Sequence, residues 1–254
     1  DEEGADALKM LDKLKISGEY IQVDPVFPTG SAYVRVGSEG RPDYAIAPDQ
    51  AFDHIEITPE ILRLMAEADC ICYGTLVQRA GISKNTLREI IAAAPTALKY
   101  LDLKLRKNCY TTQIIDDSLR MAHILRVKES ELYLLKNELS LFEYESKSLA
   151  RELINEYGLN VVLVTRSKFG AFAMDKEGTY YEDQGYVIDL VDTVGSGAAF
   201  SAAFLHVYLS EKDLYSALRF GNAAGALTAE THGGAVPISG KQITELMRVG
   251  KRRN

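Results

Sequence analysis

Between about residue 55 and residue 165 the chain alternates between segments of helical period and short apolar runs, and this rhythm is its strongest constraint. Helical spacing marks 58–67, 83–94, 111–122, 129–138 and 140–157, and strand-like runs fall at 69–73, 97–103, 123–127 and 160–165. Apolar runs this short suit strands covered on both faces, and strands joined through helices run parallel. The pattern predicts an α/β fold, a parallel sheet with helices on both sides. A hairpin follows, with Ala171–Met174 and Tyr180-Tyr181 flanking the turn Lys176-Glu177-Gly178. The chain then reads as helical over 197–210, 213–229 and 239–249.

The first 50 residues follow a different rule. Ala7, Leu8, Leu11 and Leu14 mark a helix with acidic residues suited to its first turn. The chain opens on Asp1 with this helix already under way, so we expect an N-terminal segment that was removed or lies outside the sequence. Tyr20–Val23, Ser31–Val36 and Tyr44–Ile46 then read as three short strands, with Asp24-Pro25, Gly37–Gly40 and Pro48-Asp49 as turns. The expected organisation is a core of 1–17 and 49–254 carrying a small β appendage at 18–48, without linker or repeat.

Composition narrows the function classes. A hydrophobic fraction of 46% supports a sizeable core, and a net charge of −7 disfavours nucleic acid as partner. The basic Lys251-Arg252-Arg253 reads as a solvated end. No apolar run reaches the ~18 residues of a membrane span, and no signal peptide is expected. Cys70, Cys72 and Cys109 are odd in number and two alternate within an apolar run, which suits reduced thiols in strands and a cytoplasmic location. Cys-Ile-Cys spacing and four scattered histidines argue against zinc or a Cys/His nucleophile.

The stretch most suited to chemistry is Asp192-Thr193-Val194-Gly195-Ser196-Gly197-Ala198-Ala199-Phe200. It reads as a strand ending near Leu190-Val191, a Gly-Ser-Gly turn and a helix of small residues. Backbone N–H groups at such a helix start, approached closely through glycines, form an anion site suited to phosphate. A tight strand-to-helix turn packed with small residues accounts for the same pattern. It is neither a P-loop nor a dinucleotide fingerprint, because both spacings are missing.

This segment resembles the C-terminal signature of the PfkB (ribokinase-like) carbohydrate kinases, Asp-Thr-x-Gly-Ala-Gly-Asp. Other landmarks fall in the family's order: Pro28–Val34 resembles the lid strand of fructokinases, Tyr73–Leu76 with Thr86-Leu87 the Phe-Gly-Ser-Leu segment, and Asp102–Arg106 the Asp-x-Asn-x-Arg motif. Val127–Glu131 resembles Asn-x-x-Glu, and Val164–Ala171 resembles the nucleotide loop Val-Thr-x-Gly-x-x-Gly. Asn222–Ala226 and Gly233–Pro237 complete the set. The resemblance spans essentially the whole chain and is greatest to the fructokinase branch. It implies a ribokinase-like three-layer sandwich. The isolation of the strands in 20–47 from the helix–strand rhythm, and their apolar faces (Ile21, Val23, Tyr33, Val34, Tyr44, Ile46), lead us to expect a lid over 18–48 and a homodimer contact through it.

The resemblance further implies phosphoryl transfer from ATP to a sugar hydroxyl. Gly195, Ser196 and Gly197, with Arg106, belong to the catalytic set. Thr165, Ser167, Gly170, Asn222, Gly225 and Gly234 flank the nucleotide. Glu131 organises Mg²⁺, and Asp192 with carbonyls near Val194 and Gly234 lines a monovalent-cation (K⁺) site. Glu131 equally suits a first-turn helix acid, and Asp192 equally suits turn chemistry.

Departures from the pattern fall on the chemistry. Ala198 stands where the family has its Asp base, Lys128 and Lys104 where it has Asn, and Ser167 where it has Gly. The family's opening strands and sugar-binding Gly-Gly segment have no counterpart in this sequence. Lys104 and Lys128 either line a phosphate path or are surface residues at strand ends. Two functions stay open: a fructokinase-like enzyme, and a catalytically weakened homologue that binds nucleotide or sugar or serves as a scaffold.

Overall fold

The computed structural model describes residues 1–36 and 42–253. The chain falls into two compact units, one of 1–99 with 104–121 and the other of 100–103 with 122–254.

In the first unit, α1 (Glu2–Lys13) is capped by the Asp1 carboxylate, which accepts from the Gly4 amide at 2.9 Å. Strands β1 (Ala32–Val36) and β2 (Pro42–Ile46) pair antiparallel, Ala32 opposite Ile46, and form a two-stranded sheet of their own. The third strand expected at 20–23 does not form. The side chain of Gln22 takes the place of a ladder, donating to the Glu56 carbonyl at 2.6 Å and accepting from the Glu56 amide at 2.9 Å. Asp24 then closes a turn by accepting from the Val26 and Phe27 amides. The turn predicted at Gly37–Gly40 and the side chains of Val34 and Tyr44 lie outside the described residues.

Helices α2 (Pro59–Ala66), α3 (Gly81–Ala93) and α4 (Thr112–Met121) and strand β3 (Cys70–Tyr73) follow where the periodicity places them. Cys70 and Cys72 lie on β3, whereas the buried Cys109 sits in a turn rather than a strand, its amide donating to the Arg106 carbonyl. Arg79 grips the buried Asp53 through both carboxylate oxygens, at 2.8 and 2.6 Å, and donates to the Ala47 carbonyl.

Strand β4 (Leu98–Asp102) leads into the second unit, where the order is β4, β5 (Ile124–Lys128), β6 (Val161–Thr165), β7 (Ala171–Asp175) and β8 (Tyr180–Asp183). Pairing is parallel from β4 to β6 and antiparallel from β6 to β8, so the sheet is mixed. The reason is local: tight turns at Ser167–Gly170 (Gly170 φ 87°) and at Gly178 (φ 97°) return the chain at once, with no helix to carry a crossover. Ile124, Leu125, Val127 and Val162–Val164 are fully buried, as the apolar runs required.

Helices α5 (Glu129–Glu138) and α6 (Ser146–Tyr157) cover the sheet. The expected helix over 140–157 starts later because the Glu152 carboxylate accepts from the Phe142 and Glu143 amides and holds the preceding loop. Helices α7 (Ser196–Glu211), α8 (Leu214–Ala229) and α9 (Gly240–Val249) end the chain. α7 approaches α8 closely where α8 carries glycine: a Cβ on Gly221 would lie 2.9 Å from the Phe200 carbonyl, and one on Gly225 3.1 Å from that of Ser196.

Two expectations fail here. Leu190-Val191 is irregular rather than strand, its Val191 and Asp192 amides both donating to the Ala229 carbonyl. The basic tail is not a free end either. Arg252 stacks 3.7 Å from the centre of the Tyr186 ring and donates to Asp183 and the Gln184 carbonyl, while the Arg253 amide donates to Gly185. The Arg252 guanidinium offsets the hydration it loses by a charge-assisted pair with the buried Asp183 carboxylate. Among the described residues no helix is long and apolar enough to cross a membrane.

Candidate active site

Several polar residues of the second unit meet near the first turn of α7. Gly195 caps the helix in the left-handed region (φ 83°), which glycine enters without a Cβ penalty. Its Cα faces Gly234, so closely that a Cβ would collide with the Gly234 backbone. Asp192 ties the two loops together: one oxygen accepts from the Val194 amide at 2.9 Å and the other from the Gly233 amide at 3.1 Å. These backbone donors hold its carboxyl below the usual carboxylate range. Asp192, Gly195 and Gly234 thus converge as one double loop.

Amides at the start of a helix lack intrahelical acceptors, and the helix dipole adds positive potential there. Ser196, the first residue of α7, carries a buried hydroxyl with no hydrogen-bond partner. Ala198 is exposed on the same turn and offers a methyl group. The Ser196 amide donates to the Thr193 carbonyl at 3.4 Å, and the closely approaching glycines, the next amides of the helix start and the unsatisfied Ser196 hydroxyl fit an anion such as a phosphate group.

Behind the turn lies a charged group that periodicity alone passes over. Arg126 on β5 is 2% exposed, donates to Asp102 at 3.0 Å and to the Thr165 hydroxyl at 2.8 Å, and abuts Gly197. Ser201 links the group back to α7, donating to the Gly197 carbonyl at 3.0 Å, and accepts from Tyr100. The signal was present as an arginine inside the apolar run Ile124-Leu125-Arg126-Val127, where a charge is tolerated only when paired.

The loop 165–170 turns through two residues of positive φ. Ser167 has φ 53° and Gly170 φ 87°, and a Cβ on Gly170 would collide with the Asp183 carbonyl. Ser167 therefore holds a left-handed conformation at the position where the family pattern has glycine. Lys104, in the first unit, does the same with φ 46°, and there the pattern has Asn, the non-glycine residue that most readily adopts it. Arg106 lies half-buried two residues on.

Other candidate residues have structural occupations. The Glu131 carboxylate accepts from the Lys128 amide at 3.0 Å and so caps α5. Asn222 donates its amide to Asp183 and to the Gln184 carbonyl, and Gly225 lets α7 and α8 meet. Among the described residues no cluster of three or more His, Cys, Asp or Glu could hold a metal ion. The residues fit phosphate better than they fit a metal cage made of protein alone.

A model of the pfkB family of carbohydrate kinases matches residues 1–240. A 2-dehydro-3-deoxygalactonokinase of Haloferax volcanii is 33% identical over 106 residues, 42% of this chain and 33% of the relative. A ribokinase of Haemophilus influenzae is 22% identical over 225 residues, covering 85% of this chain and 68% of the relative. The crystal structure of a fructokinase from Xylella fastidiosa with bound ATP superimposes with a TM-score of 0.82 at 16% identity, covering 96% of this chain and 81% of that one. At that identity the likeness establishes the ribokinase-like fold.

Proposed function

Because the chain belongs to the pfkB family of carbohydrate kinases, we propose that it binds ATP at the first turn of α7 and transfers the γ-phosphoryl group to a sugar hydroxyl. The observation that carries this reading is the anion cradle itself: the Gly195–Gly234 close approach, the unpaired Ser196 hydroxyl and the buried Arg126 guanidinium behind Gly197. In the transfer, the sugar oxygen bonds to the γ-phosphorus as the bond to the β-bridging oxygen breaks and ADP departs. Charge on the equatorial oxygens would be met by the amides of Gly197 and Ala198 and the Ser196 hydroxyl, which act by electrostatics and positioning.

The hydroxyl proton is the weak point. Ala198 accepts nothing, so the proton leaves to water, and loss of a general base typically costs ~10²–10⁴ in rate. This favours a second reading, a weakened homologue that binds nucleotide or sugar more readily than it turns them over. Glu131 would help hold Mg²⁺ through its waters, and the ion would supply positive charge against that of the phosphates. The double loop of Asp192, Val194 and Gly234 would hold a K⁺ ion. Thr165, Ser167 and Gly170 would flank the nucleotide, and the separate β1–β2 sheet would serve as lid and as homodimer contact in a cytoplasmic enzyme. Fructose is the first sugar to try, although the relatives' names point to ribose and deoxy keto-sugar acids as well.

Calorimetric titration with ATP, together with coupled ADP release on fructose, ribose, 2-dehydro-3-deoxygalactonate and an adenosine control, tests both readings. ATP binding with sugar-dependent ADP release supports the enzyme. Binding without release supports the weakened homologue. No ATP binding at all rejects both.

A further inference from the structure

We infer that Arg126 is a positioning residue for the transferring phosphoryl group, and that it discriminates a nucleoside triphosphate from a diphosphate. The inference rests on the phosphate reading of the α7 turn. Arg126 is buried to 2% exposure, and a Cβ on Gly197 would lie 2.8 Å from one of its terminal nitrogens and 3.1 Å from the other. The guanidinium thus lies directly against the backbone of the anion turn. A cation at the positive end of a helix is unfavourable by itself, and an anion arriving at that end relieves the repulsion.

The partners aim the charge as well as compensating it. Asp102 takes one terminal nitrogen at 3.0 Å and Thr165 the other at 2.8 Å, while Nε is buried without a partner. Asp102 pairs with the guanidinium one to one, and the terminal nitrogens of that pair lie against Gly197 of the turn. Thr165 opens the 165–170 loop, so the same side chain fixes that loop against the start of α7. Arg126 therefore acts through the turn on the last phosphate of the chain and has little effect on the rest of the nucleotide.

The test compares Arg126→Met, Arg126→Lys and the paired replacement Arg126→Met/Asp102→Leu, which leaves no unpaired buried charge and keeps the fold assessable by circular dichroism. ATP and ADP affinities are measured by calorimetry for each. With Arg126→Met and with the pair, ATP affinity should fall roughly 10-fold while ADP affinity changes less than about 2-fold, and Arg126→Lys should recover much of the loss. A folded pair variant that loses ATP and ADP equally, or loses neither, overturns the role of Arg126 while leaving phosphate binding intact. Failure of the unaltered protein to bind ATP overturns the functional reading and this inference with it.

Discussion

Replacing Gly195 by alanine separates two reasons for a glycine, strain and space, because Gly233 supplies an internal control. Both residues sit in the left-handed region, at φ 83° and 75°. Forcing alanine into it costs about 1–2 kcal/mol, partly offset by ~0.5–1 kcal/mol from the stiffer unfolded chain. At Gly233 nothing lies within 4 Å of the added Cβ, so Gly233→Ala should cost only about 0.5–1 kcal/mol by that balance. At Gly195 the Cβ meets the backbone of Gly234, including its carbonyl oxygen at 2.9 Å, and no side chain can rotate away. The loops must part, adding about 1–3 kcal/mol as in other overpacked sites, for a total of roughly 2–4 kcal/mol. Urea unfolding at constant m-value reads the difference, and ATP titration should show binding lost in Gly195→Ala and kept in Gly233→Ala. Equal destabilisation of the two variants would refute the close-approach argument.

Further expectations follow from the same elements. Ala198→Asp places a carboxylate where the turn can use a base and should raise sugar-dependent ADP release by roughly 10²-fold; unchanged turnover with intact ATP binding would favour the binding role. Asp192 has a depressed pKa, caused by the Val194 amide and then the Gly233 amide, so its contribution to stability is full above the ordinary carboxylate value. That contribution is lost as pH falls through the lower folded value, and Asp192→Asn should flatten the stability profile below about pH 4. Arg79→Met strands the buried Asp53 and should destabilise the first unit by about 3–5 kcal/mol, read by chemical unfolding. Lys104→Asn relieves a left-handed lysine and should raise stability by about 0.5–1 kcal/mol in the same assay.

The helix–strand rhythm from residue 55 onward was legible because a buried strand has to be apolar and a covering helix has to be apolar on one face. Residues 124–128, 129–138 and 161–165 form the elements their patterns predict. The glycine turn at 195–197 was legible too, since few other sequences open a helix in that way. Residues 20–23 and 190–191 misled because each has strand-like composition while its polar atoms find partners elsewhere, at Glu56 and at the Ala229 carbonyl. A short apolar run carries no record of which distant group will satisfy its backbone.

The same limit governed the site. Family motifs gave Asp192, Gly195 and Gly234 separate roles, and their convergence depends on Asp192 meeting the Gly233 amide 41 residues on. Arg126 stood in plain view within an apolar run, yet its partners Asp102 and Thr165 lie 24 and 39 residues away. The sequence by itself determined the layered α/β class and the glycine turn that opens α7, since local patterning and glycine's freedom at positive φ are properties of neighbouring residues. Only the tertiary structure decided that Arg252 in the basic tail is pinned to Asp183, and that a guanidinium stands behind Gly197. Each of these is a pairing of charges or donors across the fold, and such a pairing exists only once the chain has brought them together.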